Sequence, residues 1–225
     1  MTIAESRPDW GQHIRQLYYE IASRLDHKSG ALVQFIGASP GCGVSSVARM
    51  VALAAASLGG GPVFLMDLAG VHNGQHAWFR DRSGLPLRPM EDGVLPPHGL
   101  WVREIEDAVH LTGHWVGTQK LAVSECRDLD APPGFDLRGQ PRFWETLRQR
   151  FELVVVDAPA SNGMFDGILL ARHMDGVVLV VDAEETRTPV AAHLRDELAD
   201  AGASILGVVL NKRRFHIPRF FYRWL

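Results

Sequence analysis

A glycine-rich segment between two apolar stretches has the composition of an anion-binding loop. It reads Gly37-Ala38-Ser39-Pro40-Gly41-Cys42-Gly43-Val44-Ser45-Ser46. Glycines let backbone N–H groups converge on an anion at the start of a helix. Residues 38–45 fit the phosphate-loop pattern G-x-x-x-x-G-K-[ST], in which the first glycine is sometimes alanine, at every fixed position except one. Val44 lies where the lysine belongs.

Replacing that lysine by valine removes a positive charge and a hydrogen-bond donor. The lysine contacts the β- and γ-phosphates, and losing such a contact costs about 1.5–3 kcal/mol in binding. The catalytic cost is larger, because such contacts strengthen in the transition state. The backbone from Gly41 to Ser46 could still cradle a phosphate. We therefore predict that ATP, ADP and Mg²⁺ bind weakly or not at all. The alternative is a plain strand–helix turn.

Two aspartates follow short apolar segments, as strand-end acids do. Asp67 follows residues 63–66 and Asp157 follows residues 153–156. Ligands bind along this edge of open α/β sheets, and carboxylates together with the Ser45 hydroxyl suit Mg²⁺. Asp67 and Asp157 are thus candidates, or relics, for catalysis, and with Ser45 they form the predicted metal site. The alternative is that each aspartate only caps the loop that follows it.

Apolar strands alternate with helices along much of the chain. Strands are predicted at 31–36, 63–66, 121–124, 153–156, 176–181 and 205–210, and helices at 10–25, 45–58, 105–110, 141–150, 167–174 and 188–201. Fully apolar strands in this order predict an α/β fold of three layers, a mostly parallel sheet covered by helices on both faces. We divide the chain into an N-terminal helical segment (1–30), the α/β domain (31–212) and a basic, aromatic tail (213–225).

Composition narrows the function classes. A net charge of −3 argues against nucleic-acid binding. Two cysteines, Cys42 and Cys126, form no disulfide framework and favour a reducing compartment. Apolar stretches are far shorter than the roughly 20 residues of a membrane helix, so a soluble, cytoplasmic protein is expected. The tail either folds back on the sheet or docks on a membrane-protein partner or the anionic membrane surface.

The loop and the last third of the chain resemble the bacterial tyrosine kinases that work with polysaccharide chain-length regulators. Residues 40–46 resemble their P-G-E-G-K-S-T loop. The resemblance covers roughly residues 14–68 and 121–225 and is strongest over 151–225. The resemblance implies the P-loop NTPase-like fold of the MinD/ParA ATPases. It also implies that Asp67 and Asp157 match the Walker A′ and Walker B aspartates. Asn211 matches an asparagine that lies by the adenine.

The departures from that family point in one direction. Besides Val44, the second Walker A′ acid is replaced by Ala69. The family's C-terminal tyrosine cluster is reduced to Tyr222, since the other two tyrosines are Tyr18 and Tyr19. An autokinase needs a cation on the phosphates and a substrate hydroxyl, so the sequence indicates a degenerate member.

Some other side chains could replace the missing lysine or form a separate metal site. Arg49 is expected to point away from the phosphates, and Lys28 would have to fold over or come from a neighbouring subunit. Two His-x-x-x-His pairs, 72/76 and 110/114, have zinc-ligand spacing but are interpreted as surface histidines. Cys42 is interpreted as a small packing residue.

Three functions stay open on these grounds. The first is a non-catalytic regulatory or scaffolding subunit in exopolysaccharide or adhesin synthesis. It would pair with a membrane polysaccharide co-polymerase or an active kinase paralogue, or form a homo-oligomer, peripheral to the inner membrane through that partner. The second is an active ATPase or autokinase with a substitute cation. The third is a MinD/ParA-like positioning ATPase.

Overall fold

A computed structural model describes residues 10–25, 30–68, 74–90, 100–101, 110–118, 120–127, 141–158 and 167–213. The helices are α1 (Trp10–Ala22), α2 (Val44–Leu58), α3 (Gly74–Arg82), α4 (Pro141–Arg150), α5 (Gly167–Leu170, continued by a 3₁₀ turn at Ala171–His173) and α6 (Thr188–Asp200). The strands are β1 (Ala31–Gly37), β2 (Val63–Asp67), β3 (Leu87–Pro89), β4 (Leu100–Trp101), β5 (His110–Val116), β6 (Leu121–Arg127), β7 (Leu153–Ala158), β8 (Gly176–Asp182) and β9 (Ile205–Asn211).

These strands form one sheet in the order β3-β5-β6-β2-β7-β1-β8-β9, with β4 also paired to β5. The run from β6 to β9 is parallel throughout. At the other margin β5 is antiparallel to β6, and β3 and β4 are antiparallel to β5. The predicted mostly parallel sheet is therefore confirmed, with an antiparallel margin that the sequence did not indicate.

Side chains of the central strands alternate between two cores, one on each face of the sheet. In β1, Leu32 and Ile36 join the core under α4, α5 and α6. Val33 and Phe35 join the opposite core, under α1, α2 and α3. Strands buried on both faces need no polar alternation, which explains why they read as continuous apolar runs. The three-layer arrangement is confirmed.

The middle of the chain differs most from expectation. Helix α3 and strand β5 lie in a stretch rich in glycine, histidine and tryptophan, where neither the 3.6-residue nor the two-residue apolar period is visible. The predicted helix 105–110 falls outside the described residues except for His110, which begins β5. Strand β6 extends three residues beyond the predicted 121–124.

Helix α1 belongs to the same body as the sheet. Ile21 is buried, and Leu17 and Tyr18 pack against the core beneath α2. Residues 1–9 and 214–225 lie outside the described residues, so the division into segments stays a prediction. Within the described ranges, no helix is both long enough and apolar enough to span a bilayer.

Phe151 offers a test of the core beneath α4. Its ring stacks on Phe64 with centroids 4.9 Å apart, and it is 2% exposed. Phe151→Ala should lower the free energy of unfolding by about 3–5 kcal/mol, because it leaves a cavity in a packed layer. Val190→Ala, on the exposed face of α6, should change it by less than about 0.5 kcal/mol. Urea unfolding measures both, and equal effects would contradict this assignment of the core.

Candidate functional site

The predicted loop joins the end of β1 directly to the start of α2. Gly41 and Gly43 have φ angles of 78° and 93°, a region that favours glycine. The N–H groups of Ser46 and Val47 each donate to the carbonyl of Gly43 at 3.1 Å, which closes the first turn of α2. The segment is thus a tight backbone turn that leads into a helix N-terminus.

The side chains of Cys42 and Val44 pack inward against the end of β1. A methyl group placed on Gly37 would lie 2.5 Å from Cys42 Sγ and 2.6 Å from Val44 Cγ2. Cys42 is 1% exposed and belongs to the core under α2, which agrees with its interpretation as a packing residue. Val44 therefore fills space below the loop, where it offers a phosphate neither charge nor donor.

Asn211 fixes the loop from the end of β9. Its Nδ2 atom donates to the carbonyl of Cys42 at 2.8 Å, in a buried position. A methyl group on Gly43 would lie 2.2 Å from the same Nδ2 atom. The side chain implied by resemblance to lie by an adenine thus makes a direct bond to the loop backbone, and a role in binding nucleotide stays a prediction.

Asp67 and Asp157 lie side by side on adjacent strands. They are register partners in the parallel pair β2–β7, 7% and 0% exposed respectively. The backbone N–H of Asp67 donates to Ser124 Oγ at 2.8 Å. The sequence prediction that the two strand-end acids come together is therefore confirmed.

Gln75, which sequence reasoning missed, lies at the centre of these acids. Its backbone N–H donates to Asp67 Oδ2 at 2.8 Å. Its Nε2 atom donates to Asp157 Oδ2 at 2.6 Å and to the carbonyl of Ser45 at 2.9 Å. An amide donor bonded to a carboxylate oxygen lies where a cation would have to approach, because Mg²⁺ needs oxygen ligands directed at it. Asp157 Oδ1, by contrast, has no hydrogen-bond partner among the described residues. A magnesium site at Ser45, Asp67 and Asp157 therefore stays a prediction, and it would need the Gln75 amide to move away from Asp157 Oδ2.

Arg49, which was expected to point away from the phosphates, lies beside Gln75 and near the acid pair. Its Nε atom donates to Gln75 Oε1 at 2.8 Å, and its guanidinium carbon lies 4.2 Å from the centroid of the Trp78 ring. Residues four apart share a helix face, so Arg49 lies above Ser45 on α2. Long helical side chains also point toward the N-terminus. Arg49 therefore belongs to the site.

The lysines in the described residues are engaged elsewhere. Lys212 Nζ lies 2.8 Å from Asp182 Oδ2, and the Lys120 ammonium donates to the carbonyl of Gly60 at 2.6 Å. Lys28 falls outside the described residues. Among the described residues, Arg49 is a cation that lies near the acid pair.

Burial raises the pKa of Asp157 from its ordinary 3.8 to about 7, and the charge of Asp67 acts in the same direction. Hydrogen bonds from Gln75 and Ser45 and the charge of Arg49 oppose this rise. Burial lowers the pKa of Arg49, which the two carboxylates oppose. The acid pair therefore tends to hold one proton near neutral pH.

The interpretation of the histidines as surface residues is wrong for two of them. His76 and His114 are 7% and 6% exposed, and their rings face each other across α3 and β5 with centroids 4.7 Å apart. The side chains of His72 and His110 lie outside the described residues. The contact joins one histidine of each predicted pair, so short sequence spacing could not have found it.

Curated proteins similar in sequence to part of the chain are tyrosine kinases. A Staphylococcus aureus protein described as the tyrosine-protein kinase CapB is 35% identical over 66 residues, 29% of this chain and 29% of the relative. Tyrosine-protein kinase CpsD of Streptococcus agalactiae is 26% identical over 68 residues, 30% of each. The matched segment is thus under a third of these relatives' length. No protein-family profile matches the chain.

Solved structures similar to the chain match nearly all of it. The chimerical protein CapA2B2 has a TM-score of 0.69 at 21% identity, covering 95% of this chain and 90% of that one. The kinase domain of the Escherichia coli tyrosine kinase ETK has a TM-score of 0.65 at 19% identity, covering 96% and 82%. MinD from Pyrococcus horikoshii, solved with Mg-ADP, has a TM-score of 0.54 at 17% identity, covering 86% and 76%.

The chain has a P-loop NTPase fold. The resemblance to bacterial tyrosine kinases is also confirmed, since both the sequence relatives and the structural neighbours include them. That the chain is degenerate, and which residues hold a nucleotide, stay predictions.

Two glycines of the P-loop give a matched pair of variants. Gly43→Ala places a methyl group 2.2 Å from Asn211 Nδ2, whereas a methyl group on Gly41 meets open space. Both positions have positive φ, so each variant carries backbone strain of about 1 kcal/mol. Gly43→Ala should cost at least about 1 kcal/mol more, because it also breaks the bond to Cys42. Thermal unfolding measures the difference, and equal losses would show that the Asn211 contact does not hold the loop.

The raised pKa of Asp157 predicts a pH dependence of stability. Between 3.8 and about 7 the folded protein binds more protons at this group than the unfolded chain does. The stability it contributes is present at low pH and is lost as pH rises through about 7, with a slope of up to about 1.4 kcal/mol per pH unit. Asp157→Asn should flatten this slope and make the variant more stable than the wild type at pH 8.

Urea unfolding across pH 5 to 8 measures that slope, which extends over about two pH units, from pH 5 to about 7, and then levels off. Asp81→Asn is the control, because Asp81 is exposed and paired with Arg80 at 2.8 Å. The control should keep the wild-type slope between pH 5 and 8. An unchanged slope in Asp157→Asn would show that the group is ionised throughout.

Proposed function

We propose that the chain is a non-catalytic, tyrosine-kinase-like subunit with a regulatory or scaffolding role in exopolysaccharide or adhesin synthesis and export. It retains the P-loop fold as a docking platform and binds ATP and Mg²⁺ weakly or not at all. Its partner in this proposal is a membrane polysaccharide co-polymerase or an active kinase paralogue, with self-association as a further possibility. It works in the cytoplasm, peripheral to the inner membrane through that partner.

The observation that carries the proposal is the position of the Gln75 amide. Its Nε2 atom bridges the carbonyl of Ser45 and Asp157 Oδ2, on the acids that would hold the metal in a working site. The amide stabilises this arrangement without a cation, because it donates to Oδ2 of a buried carboxylate that is otherwise costly. Asp157 Oδ1 has no hydrogen-bond partner among the described residues. A site that supplies its own hydrogen bonds in this way has less need of Mg²⁺.

The packing of Val44 supports the same conclusion. Its side chain is partly buried and packs against the core at the end of β1, so the loop offers a triphosphate backbone N–H groups and serine hydroxyls but no positive charge. Phosphoryl transfer depends on charges positioned around the transferred group. Removing both the lysine and the metal ion leaves little to stabilise that transition state.

Arg49 favours a second candidate, an active ATPase or autokinase with a substitute cation. Its guanidinium lies on the same helix face as Ser45 and bonds to Gln75. Rotation of the Gln75 side chain would free Arg49 and Asp157 Oδ2, whereas its backbone bond to Asp67 would remain. In this candidate Arg49 takes the charge role of the missing lysine, and Arg49→Gln abolishes activity.

Calorimetry with ATP and Mg²⁺ tests the proposal. The wild type should bind with a dissociation constant no tighter than about 1 mM and release no phosphate. Val44→Lys combined with Gln75→Ala should tighten binding at least tenfold, because a charge-assisted contact contributes about 1.5–3 kcal/mol. Val44→Met with Gln75→Ala is the control, since it adds length without charge and should not tighten binding.

If the wild type binds ATP and Mg²⁺ tightly and releases phosphate, and Ser45→Ala abolishes the binding, the active enzyme becomes the favoured function. Loss of that turnover in Arg49→Gln would then establish the second candidate. In the native host, deletion of the gene should reduce polysaccharide output, and Ser45→Ala should restore it as well as the wild type does. Failure of Ser45→Ala to restore output would contradict a non-catalytic role.

A further inference from the structure

Two histidines and a glutamate converge at the antiparallel margin of the sheet. His76 comes from α3, His114 from β5 and Glu125 from β6. The Nε2 atom of His114 lies 2.9 Å from Glu125 Oε2, and His76 Nδ1 lies 3.8 Å from Glu125 Oε1. One ligand atom from each of the three lies within 4.8 Å of the others.

Strand register explains why the three side chains meet. Thr112 is opposite Glu125 and His114 is opposite Val123 in the antiparallel pair β5–β6. Alternate residues of a strand share a face, so His114 and Glu125 are diagonal neighbours on one face. Helix α3 packs against β6 and brings His76 over both.

The surroundings are those of a built site. His76 and His114 are buried, whereas the Glu125 side chain is 20% exposed. Thr112 Oγ1 donates to the backbone carbonyl of Glu125 at 3.3 Å and lies 3.5 Å from His114 Nε2. The ligand atoms are therefore held by neighbouring structure, and one side of the cluster is open to water.

We propose that His76, His114 and Glu125 bind one divalent transition-metal ion of the Zn²⁺ class. Zn²⁺ takes histidine nitrogen and carboxylate oxygen at about 2.0–2.2 Å in tetrahedral geometry, which sets the ligand atoms about 3.3 Å apart. His114 Nε2 lies 2.9 Å from Glu125 Oε2 and His76 Nδ1 lies 3.8 Å from Glu125 Oε1, so both nitrogens are near that spacing from the carboxylate. Water reaches the fourth position from the side where Glu125 is exposed.

The ligand set selects the class of ion. Imidazole suits zinc and its first-row neighbours, whereas Mg²⁺ and Ca²⁺ prefer sites made of oxygen. The site is distinct from the acid pair and does not rest on the proposed function. The site joins α3 to β5 and β6. A bound ion would therefore stabilise the packing of α3 on the sheet.

Metal titration of the purified full chain tests this inference. After treatment with a chelator and its removal, the chain is titrated with ZnCl₂ against a chromophoric competitor, and with CoCl₂ monitored by visible absorption. We expect one Zn²⁺ per chain and the intense Co²⁺ bands of a tetrahedral site. Zn²⁺ should also raise the melting temperature, since it binds the folded state.

His114→Gln and Glu125→Gln should each weaken Zn²⁺ binding on the order of 100-fold, because removing even an outer-shell partner costs 10- to 100-fold. His193→Gln is the matched control, since His193 also pairs with a glutamate, Glu197, at 3.6 Å, but on an exposed helix face. It should bind Zn²⁺ as the wild type does. Glu125 is partly exposed, so its variant keeps the test available if His114→Gln fails to fold.

Two outcomes would overturn the inference. One is the absence of a stoichiometric site at micromolar Zn²⁺ in the wild type, which would identify the cluster as a hydrogen-bonded histidine–glutamate group. The other is wild-type affinity in a folded Glu125→Gln variant, which would place the ion elsewhere.

Discussion

Two carboxylates held side by side on adjacent buried strands impose the main electrostatic constraint on this molecule. Parallel pairing of β2 and β7 makes Asp67 and Asp157 register partners, and neither is accessible enough for water to screen the repulsion. A fold that keeps both acids must bring them a cation, a proton or strong donors. The described structure supplies donors from Gln75, a nearby guanidinium from Arg49 and conditions that favour one proton.

Helix α3 owes its position to that constraint. Gln75 bonds to Asp67 through its backbone and to Asp157 through its side chain, so the start of the helix is fixed to the carboxyl edge of the sheet. Arg49 then bonds to the same amide from α2 and stacks on Trp78. The phosphate loop, the acid pair and the margin of the sheet are thereby joined through one side chain.

The sequence predicted the parts of this site that depend on local pattern. Glycine spacing located the loop, and apolar runs ending in aspartate located the acid pair, because the carboxyl ends of parallel strands share an edge. It missed Gln75, since a single polar residue in an aperiodic stretch carries no signal of burial. It did not place Arg49 beside the acid pair, although the four-residue spacing from Ser45 was the available clue.

The antiparallel margin of the sheet was harder to predict from the sequence than the acid pair. His76, His114 and Glu125 are brought together by pairing between β5 and β6 and by the packing of α3, none of which short-range spacing encodes. The alternation of Thr112 and His114 in β5 is a strand signal, but glycine and tryptophan around it mask the period. Long-range pairing, and not local propensity, decides this region.

Gln75 and His76 are consecutive on α3, yet one bonds to the acid pair and the other faces the histidine–glutamate cluster. Consecutive helical positions differ by about 100° of rotation, so a single register of the helix serves both sets of contacts. One residue inserted within α3 ahead of this pair would turn each side chain into its neighbour's place and satisfy neither. The number of residues at the start of α3 is therefore constrained. A substitution there keeps the register of Gln75 and His76, whereas an insertion or a deletion shifts it.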